Sequence, residues 1–325
     1  MDEEKEFKFT KKQLILALGV ALVAGCFFLA VQAVLYFNLQ YEKSLIEKRD
    51  LTEMRGAIKE DVFKNLSLSA RAYLVWDTKS QKIITSKNEE MQLPLASLTK
   101  LMTAYIVFND IKNNSTLTIQ NNNLEKEGDN GLLLGEQWNL LDMIDFVLMS
   151  SSNDGASALA SMVSSIKGKA PEDFIQEMNN KARELGMTQS FFLNESGLDL
   201  NETMSGAYGS VKDTVILMEN ILKDNKNLLE ASTQKEQEMT SDTLTHKAVN
   251  TNIIIDKLPG VIASKTGYTD LAGGNLIMAF DIGIGHNIII SVLGSTKEER
   301  FSDLEKLFWA SVEDQYQNYE LGIKN

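Results

Sequence analysis

The sequence predicts an α+β protein with an antiparallel sheet flanked by a helical region, preceded by one transmembrane helix. Three observations carry this reading. Leu14–Phe37 is an uncharged apolar stretch of 24 residues broken by one polar side chain, Gln32. Two short β-type runs follow it, and then a long central region with apolar residues at helical spacing. Three further β-type runs lie within residues 260–294. Strands, then helices, then strands is the order of an α+β architecture rather than of alternating βαβ units.

Each element has a local reason. About 20 apolar residues rising 1.5 Å each cross the ~30 Å hydrocarbon core, so Leu14–Phe37 is long enough to span it. Tyr36 and Phe37 stand where interfacial aromatics stand. Residues 13–37 are therefore expected to anchor the chain in a lipid bilayer. A cleaved signal peptide has a shorter apolar core. Lipoprotein processing at Cys26 is the rival, because Val23-Ala24-Gly25-Cys26 resembles a bacterial processing site, but the apolar run continues eleven residues beyond it. Lys11 and Lys12 abut the span. Residues 1–12 are thus expected as a cytoplasmic tail and the bulk of the chain as extracytoplasmic, at the cell membrane. Leu51, Met54, Ile58 and Val62 have helical spacing, and residues 38–65 read as a stalk. Arg71–Trp76 and Lys82–Thr85 read as strands joined by a turn at Asp77–Gln81. Helices are expected at 97–110, 140–150, 155–167, 171–185, 210–224 and 298–312, with Asn113–Asn123 as a loop. Gly260–Thr269, Gly274–Asp281 and Asn287–Gly294 read as three strands, the last pair turned by Gly283-Ile284-Gly285.

Charge and composition remove several functions. The 325 residues carry 32 Lys+Arg against 45 Asp+Glu, a net charge of −13. The first twelve residues are balanced and residues 13–37 are uncharged, so the whole excess falls on residues 38–325. A nucleic-acid binder shows a basic footprint, and none is expected here. One cysteine and two histidines exclude a disulfide framework and Cys/His zinc sites, and no metal or other cofactor is expected. Only His246 and His286 could serve a Ser-His-Asp triad, so an enzyme built on this chain is expected to use another base.

Three short motifs supply that chemistry. In Ser97-Leu98-Thr99-Lys100, a serine at a helix start and a lysine three residues later share one face. A lysine can activate a serine when burial or a nearby cation lowers its pKa. The spacing recurs at Ser164…Lys167 and Ser232…Lys235, so alone it is weak. Ser151-Ser152-Asn153 follows an apolar helix and precedes another, a junction that suits a loop entering a cleft, although helix capping alone would also explain it. Lys265-Thr266-Gly267 occurs once, in a strand whose edge could pair with an extended peptide. There Lys265 offers a cation, Thr266 a hydroxyl, and Gly267 room for close approach. The order of the three motifs, with separations of 54 and 114 residues, is the specific signal.

With these motifs the chain resembles the low-molecular-mass penicillin-binding proteins that are D-alanyl-D-alanine carboxypeptidases, serine peptidases of family S11. The segment Leu93-Pro94-Leu95-Ala96-Ser97-Leu98-Thr99-Lys100-Leu101-Met102-Thr103-Ala104 is similar to the family's nucleophile segment. Ser151-Ser152-Asn153-Asp154, Leu185-Gly186-Met187 with Asn194 and Gly197-Leu198-Asp199, and Asn250-Thr251-Asn252 with Ser264–Asp270 carry the likeness further. It covers residues 66–312, the expected catalytic domain, with residues 313–325 as a C-terminal tail. The resemblance implies a β-lactamase/DD-peptidase-like transpeptidase fold. It implies removal of the terminal D-alanine from peptidoglycan stem peptides and covalent inhibition by β-lactam antibiotics. By the same resemblance Ser97 is the acylated nucleophile, Lys100 its base, and Ser151 a proton relay. Asn153 holds the substrate amide, and Lys265 and Thr266 engage the terminal carboxylate. The backbone N–H groups of Ser97 and Tyr268, beside Gly267, form the oxyanion hole. Many members carry a C-terminal β domain with a membrane-binding helix; here the anchor is expected at the other end. The rivals are a DD-endopeptidase using the same residues, a β-lactamase, for which only Glu195 lies nearby as a deacylating glutamate, and a non-catalytic penicillin-binding sensor.

Overall fold

The computed structural model describes residues 10–56, 61–112, 114–128, 131–283 and 286–322. The chain divides into two compact units, residues 1–60 with 317–324 and residues 61–316.

In the first unit, helix α1 (Lys11–Gly56) runs without a break through the expected anchor and most of the expected stalk. Its described apolar side chains, Leu18, Leu22, Phe27, Phe28, Leu29 and Leu35 among them, are exposed. The side chains at 13–17, 20–21 and 23–24 lie outside the described residues, as do those of Leu51, Met54 and Ile58. Over the described residues, no helix is long and apolar enough to cross a membrane.

The second unit is built on five strands: β1 (Ala72–Asp77), β2 (Lys82–Lys87), β3 (Val261–Thr269), β4 (Gly273–Asp281) and β5 (Asn287–Ser295). They form one sheet in the order β3-β4-β5-β1-β2, every neighbouring pair antiparallel. Side chains alternate across a strand, so a sheet covered on both faces needs apolar residues at every position. That is why Leu276–Phe280 of β4 and Ile288–Ile290 of β5 read as apolar runs. Ile277, Ala279, Ile289 and Leu293 enter the larger core, while Leu276, Met278, Phe280, Ile288, Ile290 and Val292 enter the smaller one.

The larger core is filled by helices α2 (Thr99–Asp110), α3 (Leu140–Ser150), α4 (Asn153–Ile166), α5 (Pro171–Glu184) and α6 (Val211–Asn225). The smaller is closed by Phe301, Leu304, Leu307 and Phe308 of α7 (Glu299–Glu320). The class, the helices and the strand runs follow the sequence reading to within a few residues. The differences include a small unexpected sheet of Leu93–Pro94, Ala207–Gly209 and Phe191–Phe192. The expected loop Asn113–Asn123, of which Asn113 lies outside the described residues, holds a strand, Thr116–Thr118, paired with Gln137–Asn139 so that Leu117 faces buried Trp138. A second hairpin, Glu236–Thr240 with Thr245–Val249, was not expected, because only Met239, His246 and Ala248 of it point inward. Helix α7 continues to Glu320, so residues expected as a tail are helical. Of the expected Gly283-Ile284-Gly285 turn, residues 284 and 285 lie outside the described residues.

Asp303 of α7 joins helix to sheet. It is fully buried and accepts from the backbone N–H groups of Ser69 and Ala70, at 3.0 and 2.9 Å, and from Ser295 Oγ at 2.6 Å. Asp303→Ala leaves these donors without a partner in the interior. It is expected to destabilise the protein by about 2–4 kcal/mol, read from denaturant unfolding.

Candidate active site

Strand β3 is the edge of the sheet, and its free side faces the single turn of 3-10 helix Ala96–Leu98 that leads into α2. Two glycines permit this approach. A Cβ on Gly267 of β3 would lie 2.9 Å from the Leu95 carbonyl oxygen and 3.2 Å from the Ser97 nitrogen. A Cβ on Gly197, whose φ is +81°, would collide with the Ala96 carbonyl. Asn275 of β4 fixes the same segment by donating to the Pro94 carbonyl at 2.9 Å. Ala96 itself has φ 48°, a left-handed conformation that a residue with a Cβ adopts only under constraint. Ser97 is thus presented, part-exposed, on a turn pinned from three sides.

Lys100, the second residue of α2, is fully buried. Its Nζ meets Ser97 Oγ at 2.9 Å, Asn153 Oδ1 at 2.7 Å and the Ser196 carbonyl at 2.8 Å. Burial pushes the amine down to about 7, against a smaller opposing pull from the Glu195 carboxylate. All three partners accept from the amine. When the amine is neutral, the two carbonyl oxygens take its two N–H groups and its lone pair is left for the Ser97 hydroxyl proton. The Asn153 amide is oriented by its other end, where Nδ2 donates to the Glu127 carbonyl at 2.6 Å.

The second motif sits where α3 meets α4. Ser151 ends α3 in the left-handed region, φ 63° and ψ 30°, while Ser152 caps α4 by accepting from the Gly155 N–H. This sharp reversal puts Ser151 Oγ 2.8 Å from Nζ of Lys265, which also donates to the Thr266 carbonyl at 2.9 Å. Lys265 is buried. Desolvation first, and then the charges of Lys100 and Arg300, hold it well below the usual lysine range. Thr266 Oγ1 and Thr251 Oγ1 are 2.5 Å apart. Tyr268 is exposed, with Lys297 Nζ 4.9 Å above its ring.

The candidate residues of the three motifs therefore fall in one place: Ser97, Lys100 and Asn153 share one hydrogen-bonded cluster, Ser151 and Lys265 form the adjoining pair, and Thr266, Gly267 and Tyr268 continue along the edge strand. The two histidines are engaged elsewhere, His246 with Glu136 at 3.1 Å and His286 with Asp77 at 2.9 Å. Among the described residues no His, Cys, Asp and Glu cluster is arranged to hold a metal. Sequence reasoning gave no role to the Ser196 carbonyl, to Thr251, to Asn275 or to Arg300, which donates to the Gly267 carbonyl at 2.9 Å. Thr251 lies in a segment the resemblance had picked out. Arg300 stands in a helix start with no local pattern to mark it.

A serine against a buried amine, a second serine against a second amine, and an open strand edge beside both are the parts of a serine acyl-transfer site. The sequence profile of the D-alanyl-D-alanine carboxypeptidase family, peptidase S11, matches residues 59–297. The chain belongs to this family. It is 27% identical over 266 residues to the D-alanyl-D-alanine carboxypeptidase DacF of Bacillus subtilis, covering 80% of this chain and 66% of the relative. It is 30% identical over 253 residues to the D-alanyl-D-alanine carboxypeptidase DacC of Escherichia coli, covering 74% and 60%. The chain thus spans 66% and 60% of the length of these two curated relatives. Among solved structures, penicillin-binding protein D2 from Listeria monocytogenes in its ampicillin-bound form superposes with a TM-score of 0.66 at 29% identity, over 76% of this chain and 98% of that one.

Gly197 gives a direct test of the pinned turn. Gly197→Ala adds a Cβ at a positive φ and against the Ala96 carbonyl. It is expected to cost about 2 kcal/mol or more, seen as a lowered thermal midpoint, whereas Gly186→Ala, with a positive φ but open space, is expected to cost only about 1 kcal/mol.

Proposed function

We propose that this chain is a serine D-Ala-D-Ala carboxypeptidase that removes the terminal D-alanine from peptidoglycan stem peptides through an acyl-enzyme on Ser97. The observation that carries the proposal is the 2.9 Å contact between Ser97 Oγ and the buried Lys100 amine, in a chain of this family. Neutral Lys100 takes the hydroxyl proton as Ser97 Oγ attacks the carbonyl carbon of the penultimate D-alanine. The N–H groups of Ser97 and Tyr268 receive the developing oxyanion, and losing one such donor typically costs ~10²–10³ in rate. The absence of a Cβ at Gly267 leaves the Ser97 N–H uncovered. As the C–N bond breaks, Ser151 relays a proton to the leaving amine, so D-alanine departs neutral at nitrogen. Water then hydrolyses the ester and Ser97 regains its proton.

Asn153 holds the substrate amide in this reading, and Lys265 and Thr266 hold the terminal carboxylate. A substrate carboxylate beside Lys265 favours its charged form, reversing the effect of burial. β-Lactams enter by the same attack, a reading supported by the ampicillin-bound state of the Listeria protein. Residues 13–37 anchor the chain in the lipid bilayer, with the tail cytoplasmic and the catalytic domain outside. The uncharged run Leu14–Phe37 and the exposed apolar side chains of α1 support that placement.

Fluorescent penicillin should label the protein covalently, and Ser97→Ala should abolish the label. Lys100→Ala should slow acylation by about 10²–10⁴. Because the neutral amine is the active form, acylation should rise with pH through about 7 and fall tenfold per unit well below it. A D-Ala-D-Ala peptide should lose one alanine by mass. Cleavage confined to cross-linked muropeptides would instead indicate an endopeptidase, and rapid penicillin turnover a β-lactamase. The full chain should leave membranes in detergent and resist alkaline carbonate.

A further inference from the structure

One ion pair beside the site has no part in the steps above. Lys126 Nζ lies 3.5 Å from Glu195 Oε1. The pair ties two segments that both touch the partners of Lys100. Glu195 directly precedes Ser196, whose carbonyl accepts from Lys100, and the Glu195 carbonyl is itself held by Thr103 Oγ1 at 2.6 Å. Lys126 directly precedes Glu127, whose carbonyl accepts from the Asn153 amide that Lys100 also donates to. The Lys126–Glu195 bridge therefore buttresses two of the three hydrogen-bond partners of the amine.

We infer that the Lys126–Glu195 ion pair is a positioning pair for the acylation base: it fixes the Ser196 carbonyl and the Asn153 amide against Lys100 and sets the pH range in which that amine accepts the Ser97 proton. The inference rests on the reading of Lys100 as base. The pair is lopsided in a way that matters. The Glu195 side chain is 12% exposed and the Lys126 side chain 36%, so water screens the cation more than the anion. Lys100 therefore feels a net negative field from the pair, the direction in which Glu195 acts on it. The other charged groups near Lys100 are Lys265 on β3, with Arg300 of α7 behind it. Ser97 and Asn153 face it without charge. Glu195 supplies the negative charge on its own segment, and Lys126 neutralises part of it.

The two halves of the pair then have opposite effects. Removing the Glu195 charge makes protonated Lys100 less favourable, so its proton leaves at lower pH. Removing the Lys126 charge exposes the carboxylate and holds the proton to higher pH. The experiment is the pH profile of the second-order acylation rate with fluorescent penicillin, using the full chain, for wild type, Glu195→Gln, Lys126→Met and Lys100→Ala. The acid-limb midpoint should move down by about half a unit or more in Glu195→Gln and up in Lys126→Met, roughly a threefold rate change on that limb. Glu195→Asp should return the midpoint toward wild type. Shifts of the same sign in both, or midpoints equal to wild type, overturn the inference. Should Glu195→Gln fail to fold by circular dichroism, the half-exposed Lys126 still decides: an upward shift in Lys126→Met supports the inference and no shift overturns it. If Lys100→Ala instead keeps the wild-type acid limb, the reading of Lys100 as base fails, which is a separate result.

Discussion

A lysine amine taken fully out of water is the constraint around which this molecule is arranged. A buried ammonium is costly unless it is paired, and the three partners of Lys100 are an alcohol, an amide and a backbone carbonyl. None carries a charge, so burial lowers the amine's hold on its proton, to about 7. The partners lie three, 53 and 96 residues away along the chain. Bringing them to one point requires the α3–α4 junction and the 194–198 segment to close on the start of α2, and this is what the helical region does. Asn194 shapes the last of these segments, with its side-chain oxygen accepting from the Gly197 N–H at 2.7 Å and its Nδ2 donating to the Leu198 carbonyl at 2.8 Å.

The sheet adds a second amine under the same constraint. Lys265 is carried by a strand whose other neighbours are buried, so its side chain cannot swing to solvent. The two lysines oppose each other's charge. Two positive charges in one low-dielectric cluster are unfavourable, so the proton affinities of the pair are linked. In the proposed reaction, a carboxylate arriving at Lys265 restores the charge there and thereby disfavours a proton on Lys100. Recognition of the substrate's terminus and readiness of the base would then be one electrostatic event.

What the sequence revealed follows from where chemistry demands a side chain. Ser97, Lys100, Ser151, Asn153 and Lys265 are legible because three short motifs, each weak alone, stand in one order, and the resemblance they carry marks those positions. The Ser196 carbonyl is not legible, since every residue has a carbonyl and only the fold selects which one is used. The same holds for Arg300, which reaches the Gly267 carbonyl from a helix 33 residues on. Strands buried on both faces, such as β4 and β5, announce themselves as apolar runs. The 236–249 hairpin does not, because charged residues occupy its outer face and little apolar pattern remains. Helix α7 passes residue 312 because nothing there stops it. The stop comes at Gly322, with φ +67°, beyond the acidic stretch that reads as a tail.

Backbone strain tells where the fold is fixed before any substrate arrives. Among the described residues, four non-glycine residues have positive φ: Gln81, Asn88, Ala96 and Ser151. Gln81 and Asn88 flank β2, where hairpin and edge turns require such geometry. Ala96 and Ser151 belong to no hairpin. One precedes the Ser97 hydroxyl and the other carries the Ser151 hydroxyl. Such conformations persist only where the surroundings over-determine them. Here those surroundings are Thr99 Oγ1 on the Ala96 carbonyl, Gly197 and Gly267 closing on the turn, and the Ser152 cap that starts α4 immediately after Ser151. Relaxing Ala96 would turn the Ser97 hydroxyl away from Lys100, and relaxing Ser151 would turn its own away from Lys265. The fold thus holds two serine hydroxyls in place through strained backbone at Ala96 and at Ser151, and so spares the proposed reaction the reorganisation that a flexible loop would require.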